Sequence, residues 1–283
     1  MSATAAPFIT RLPRDAAGWV ACFDAAALPV LEETALTLAA LRENEDAVDA
    51  HLLTETVAAD PLLTLKVLAH VARLRRSRDD DTRGDPETVT AALVMLGIGP
   101  FFRAFADQVT VEAQLTGHPE ALAGFRQVLR RSHRAANFAL GFAVHRMDRD
   151  APVIHEAALL HDFAELLLWL RAPALALQIA ARQAADPTLR SAAVQRELLN
   201  VELPDLQHAL MLAWRLPPLL VRISDDRHAD SDQVRNVLLA IRVARHSTSG
   251  WDNAALPDDV NDIADLLHLG TDPTLRLLRE LDS

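Results

Sequence analysis

The chain has 283 residues, half of them apolar, a formal charge of -11 and a single cysteine, Cys22. That size and apolar share suit one large globular domain or two modest ones with a real core. The acidic balance disfavours a nucleic-acid partner, the lone cysteine excludes a disulfide framework and multi-cysteine zinc sites, and no charge-free apolar run reaches the roughly 18 residues of a membrane span. A cytoplasmic protein without a secretory leader is expected.

Apolar residues recur at three- and four-residue intervals, and no stretch alternates as a strand would, so the fold class is all-α. In chain order, helices are expected at about 29–43 and 49–59. Asp60-Pro61 then supplies an N-cap followed by proline at the first helical position, with Leu62, Leu65, Val67, Leu68 and Val71 as the buried stripe. The mixed-charge stretch Arg75 to Asp85 reads as an exposed loop, and Asp79-Asp80-Asp81 within it lacks the spacing of a calcium loop. Asp85-Pro86 opens the next helix, which Gly97 ends as a C-cap. Further helices are expected at about 100–115, 119–131, 133–147, 153–171, 173–185, 188–200, 205–215, 217–226 and 231–247. A break over Gly250 to Asp259 precedes a last pair at about 259–268 and 273–282.

The chemistry concentrates at His161-Asp162, an adjacent imidazole and carboxylate inside the greasy run Ile154 to Trp169. Buried without partners, either group costs several kcal/mol, so the pair needs hydrogen bonds, a metal or access to a cavity. HD-type metallohydrolases hold a metal with a histidine, a His-Asp pair and a distant aspartate on helices. Here His133 and His208 are candidate companions of His161 and Asp162, but Arg245 stands where the distant aspartate belongs, and a guanidinium repels a cation. The preferred reading is a satisfied pair that braces helices, with Asp162 accepting from His155, an arginine or backbone amides. His133 reads as a helix-surface residue and His208 as a packing residue. Arg126, Arg130 and Arg134 share one helix face, a solvated stripe or a dock for an acidic or phosphorylated partner.

Several segments, in order, resemble the HDOD family, the HD-related output domain of bacterial signalling proteins. They are Leu28-Pro29-Val30-Leu31, Asp60-Pro61-Leu62 through Lys66-Val67-Leu68, Thr88 through Leu96-Gly97, Glu156 through His161-Asp162, and Trp214-Arg215-Leu216-Pro217. His70-Val71 replaces the family's Asn-Ser, Phe163-Ala164 replaces its Ile-Gly, and the metal histidine of HD enzymes falls near Arg131 to His133. The resemblance implies a multi-helical HD-superfamily-like bundle over residues 22–228, with residues 229–283 as a C-terminal helical extension packed on it. It also implies a non-catalytic bacterial signal-transduction module with a degenerate metal site, no cofactor and no catalytic residue, acting through a protein partner. Neither nucleic acid nor membrane is an expected partner, and the pocket beside His161 and Asp162 leaves room for a small ligand. The alternative is a weakly active metal-dependent HD-type phosphohydrolase.

Overall fold

The computed structural model describes residues 6–78, 86–105, 107–186 and 188–282. Its helices, in chain order, are α1 (Ala16–Val20), α2 (Glu32–Glu43), α3 (Ala50–Ala58), α4 (Pro61–Arg78), α5 (Val89–Leu96), α6 (Ile98–Phe105), α7 (Val111–Gln114), α8 (Pro119–His145) and α9 (Ala151–Leu160). They continue as α10 (Phe163–Arg171), α11 (Pro173–Ala185), α12 (Ser191–Leu199), α13 (Leu203–Ala213), α14 (Pro218–Ile223), α15 (Asp232–His246), α16 (Leu256–Leu267) and α17 (Thr271–Leu281). The all-α expectation holds: β-pairing among the described residues is confined to one isolated parallel bridge, Val30 to Thr110. No single helix among them is long and apolar enough to cross a membrane.

Two compact units emerge, Met1–Arg126 with Phe163–Pro217, and Gln127–Asp162 with Pro218–Ser283. This grouping differs from a division at residue 228, because α15 packs on α9 as well as on α16 and so joins residues 127–162 to the C-terminal helices.

In the first unit, the cap read at Asp60 is built as expected. Its Oδ1 accepts from the Leu62 and Leu63 amides at 2.9 and 3.1 Å. Leu62, Leu63, Leu65, Val67 and Leu68 on α4 are all buried. Helix α5 starts at Val89, later than the Asp85-Pro86 opening expected, because Thr88 caps it through the Ala91 amide; Gly97 ends it as expected, at φ +81°, a left-handed value that favours glycine. The motif segments hold one another. Asp60 Oδ2 accepts from the Leu31 amide at 2.8 Å, and Lys66 Nζ donates to the Leu28 carbonyl at 2.6 Å and to Gln108. Burial lowers the Lys66 pKa to about 8, although Asp60 and Asp24 pull the other way. Trp214 stacks on Phe163 with ring centroids 5.7 Å apart.

Several boundaries differ from expectation. The helix expected at 100–115 is two, because the Val109 carbonyl and Val111 amide pair with Val30 instead of continuing a helix. Those expected at 119–131 and 133–147 are one continuous α8, while the one expected at 153–171 breaks at His161-Asp162. Helix α16 begins at Leu256, with Pro257 in its first turn, so the break before it is shorter than expected. Helix α4 runs on to Arg78 through the start of the expected loop, and Asp79 to Asp85, with the triple aspartate, lie outside the described residues. The short α1 was not expected. It buries Trp19, whose indole donates to the Leu199 carbonyl at 2.7 Å.

Candidate functional site

The second unit assembles a compact charge cluster around Asp162. Helix α8 carries Arg131, whose Nε and Nη2 both donate to Asp162 Oδ2, at 2.8 and 2.6 Å. From α15, Arg245 Nη2 donates to Asp162 Oδ1 at 2.9 Å. The imidazole of His161 bridges two carboxylates, with Nδ1 3.2 Å from Asp162 Oδ1 and Nε2 3.1 Å from Asp226 Oδ1. Asp226 opens the short 3-10 turn Asp226–His228 that follows α14.

The local sequence accounts for this placement. After α9, whose residues Val153, Ile154, Ala157, Ala158, Leu159 and Leu160 are buried, the helix stops at His161 without glycine or proline. The His161 and Asp162 side chains there meet guanidiniums and a second carboxylate. In an apolar setting those are the partners that make burial of a charged pair tolerable.

Electrostatics fix the protonation states. Burial alone would push the Asp162 carboxyl up, but Arg245, Arg131 and the His161 hydrogen bond outweigh it and hold the group well below the usual carboxylate range. Burial likewise works against a charged His161, yet its bonds to Asp162 and Asp226 raise it to about 9. At neutral pH His161 is therefore an imidazolium that donates from both nitrogens, and a metal would have to displace one of those protons to bind it.

Of the four expected pocket residues, only His161 and Asp162 bond each other. His133 interacts with His155, whose pKa is lowered by burial and then by His133. His208 sits half-buried on α13 in the first unit. The expectation that Asp162 accepts from an arginine is met twice over, whereas His155 is not among the partners found for it. Among the described residues no group of three or more His, Cys, Asp or Glu side chains is placed to hold a metal ion. The donor set does not fit one: two guanidiniums and an imidazolium converge on the carboxylate that would have to bind it.

The arginine stripe is not uniformly solvated. Arg126, in the first unit, pairs with Glu112 at 3.2 Å. Arg134, in the second, donates to both Asp282 oxygens at 2.7 and 2.9 Å, to the Ala244 carbonyl and to Ser247 Oγ. Arg130 is exposed. Sequence reasoning missed Arg131, Asp226 and Asp282 as partners. The one available signal was the register of the HD resemblance, which put the metal histidine near Arg131 to His133.

The all-helical fold, with its His-Asp pair bonded by two arginines, is that of a helical bundle of the kind the ordered sequence motifs point to. The HDOD domain model matches residues 28–229, and the chain belongs to the HDOD family. Among solved structures it resembles the MmoQ response regulator of Methylococcus capsulatus, at 21% identity and a TM-score of 0.64, covering 89% of this chain and 97% of that one. It also resembles a virulence factor of Campylobacter jejuni, at 18% identity and a TM-score of 0.56, covering 85% of each chain. These likenesses establish a shared fold. A comparison with curated proteins finds no match.

Proposed function

We propose that this protein is a non-catalytic regulatory module of bacterial signal transduction, working in the cytoplasm through contacts with a protein partner. The observation that carries the non-catalytic reading is the closure of Asp162. Arg131 holds one of its oxygens, and Arg245 with His161 holds the other. A divalent ion entering there would displace ion pairs and meet three cationic groups. The protein-contact reading draws on the signalling role of the HDOD family and on the response-regulator name of the MmoQ protein. Exposed Leu140, Val144 and Met147, spaced four and three residues apart at the end of α8 and just beyond it, add an apolar strip of the kind partners cover.

Elemental analysis of protein purified without chelator, paired with a hydrolysis screen over phosphodiesters and nucleotides, tests the reading. Substoichiometric transition metal and no turnover are expected. Stoichiometric metal together with hydrolysis that disappears in Asp162→Asn would overturn it in favour of an HD-type phosphohydrolase.

A further inference from the structure

Beside the Asp162 cluster, within the second unit, lies an open cavity of about 540 Å³, inside the roughly 300–1,000 Å³ range of small-molecule sites. One wall is α8, where Arg134 lies four residues after Arg130 and three after Arg131, and all three line the cavity. The opposite wall is the turn after α15, carrying Thr248 and Trp251, and Asp282 is the one carboxylate among the lining residues. Asp162 balances Arg131 and Asp282 balances Arg134, so the exposed Arg130 supplies the positive excess at this wall in a chain whose formal charge is -11. Adjacent like charges repel, and an anion with several oxygens relieves that repulsion while accepting directional hydrogen bonds.

The cavity is also preorganised. Arg131 is anchored by Asp162, and Arg134 by Asp282, the Ala244 carbonyl and Ser247, so two of the three cations are already fixed in place. Fixed donors lose less conformational entropy on binding than free ones. Gly250 adopts φ +118°, open to glycine but strained for other residues, and so shapes the turn that places Trp251 on the cavity wall. Trp251 is partly exposed, whereas Trp19 and Trp169 are buried. An indole face next to guanidiniums suits a ligand that joins a flat aromatic ring to phosphate.

We propose that this cavity binds a nucleotide, with its phosphates against Arg130 and Arg131 and its base on Trp251. The inference rests on the cavity's own walls and stands whether or not the module acts through a protein partner. Because Arg131 both lines the cavity and grips Asp162, the bound phosphate would share that guanidinium with the buried carboxylate. Occupancy of the cavity is thereby linked to the charge cluster.

Calorimetric titration of the full chain with GTP, ATP, guanosine and inorganic pyrophosphate in low salt tests this. At least one of the two nucleotides should bind, and more tightly than guanosine or pyrophosphate. Arg130→Ala, at an exposed position, should weaken nucleotide binding by about tenfold or more, as should Trp251→Ala. Trp251→Ala should leave pyrophosphate binding unchanged, and melting curves of both variants confirm that they are folded. Three results would overturn the proposal. One is no binding of either nucleotide at millimolar concentration. Another is pyrophosphate binding as tightly as the nucleotides with Trp251→Ala silent, which marks a plain oxyanion site. The third is guanosine binding as tightly as GTP with Arg130→Ala silent.

Discussion

Two aspartates, one in each unit, are buried to a similar degree and hold their charge in opposite ways. Asp60 is fully buried and receives neutral donors: the Leu31, Leu62 and Leu63 amides and the Thr34 side chain. Burial outweighs them, and its pKa is raised. Asp162 is 7% exposed and is met by two guanidiniums and an imidazolium, and its pKa is driven well down. At Asp60 the direct hydrogen bonds come from backbone and hydroxyl dipoles, with the Lys66 ammonium acting only through space, while at Asp162 directly bonded charges make the buried carboxylate the centre of an ionic brace. The removal of each should show that difference.

The largest effect is expected at Asp162. Asp162→Ala removes a carboxylate acceptor from Arg131, whose side chain is only 15% exposed, and one of the two acceptors of His161. Breaking a buried ion pair from one side costs about 3–5 kcal/mol, and the half-exposed Arg245 adds little to that. Urea unfolding measures it. A loss under about 1 kcal/mol, the level of a surface pair, would show that the cluster does not brace the fold.

The same cluster has a pH signature. His161 is raised from 6.5 to about 9, so its contribution is fully present below pH 6.5 and is lost as pH climbs through about 9. The shift corresponds to roughly 3 kcal/mol over that window. Lys66, lowered to about 8, works the other way, since stability rises as its folded form deprotonates between about pH 8 and 10.5. The quantity to follow is therefore the difference between wild type and His161→Gln, which should shrink across pH 6.5–9. A constant difference would mean that His161 is not held as an imidazolium. On the acid side the two aspartates oppose each other. Stability from Asp162 is present above pH 3.8 and lost as pH falls through its depressed folded value, whereas Asp60 favours the fold below pH 3.8 and loses that as pH rises through its raised one.

The two sites were unequally legible in the sequence, for a physical reason. The cap at Asp60 is local: two of its bonds reach residues two and three positions on, and the adjoining proline advertises the turn. Asp162 takes its bonds from residues 31 and 83 positions away, and His161 from one 65 away. No periodicity encodes those distances. The expected boundary between residues 131 and 133 falls inside the polar run Arg130-Arg131-Ser132-His133-Arg134. With Arg131 and Arg134 ion-paired and Ser132 buried, α8 runs through it unbroken. The interruption at His161-Asp162 was invisible for the converse reason, since its flanks are apolar and helix-forming and contain neither glycine nor proline.

The smallest effect is expected from the neutral isostere at the neutral site. In Asp60→Asn the amide oxygen still accepts from Leu62 and Leu63, so the helix cap survives. The cost is at Leu31, whose amide would face an NH₂ group in place of Oδ2. One buried amide left unpaired costs about 1–3 kcal/mol, and relief of a charge that burial disfavours offsets part of it, leaving a net loss of about 1 kcal/mol. Asp162→Asn enjoys no such relief, because its surroundings favour the charge, and it should cost at least twice as much in the same urea titration. Equal losses at the two positions would mean that backbone dipoles and guanidiniums hold a buried carboxylate equally well, and the distinction between cap and brace would fall.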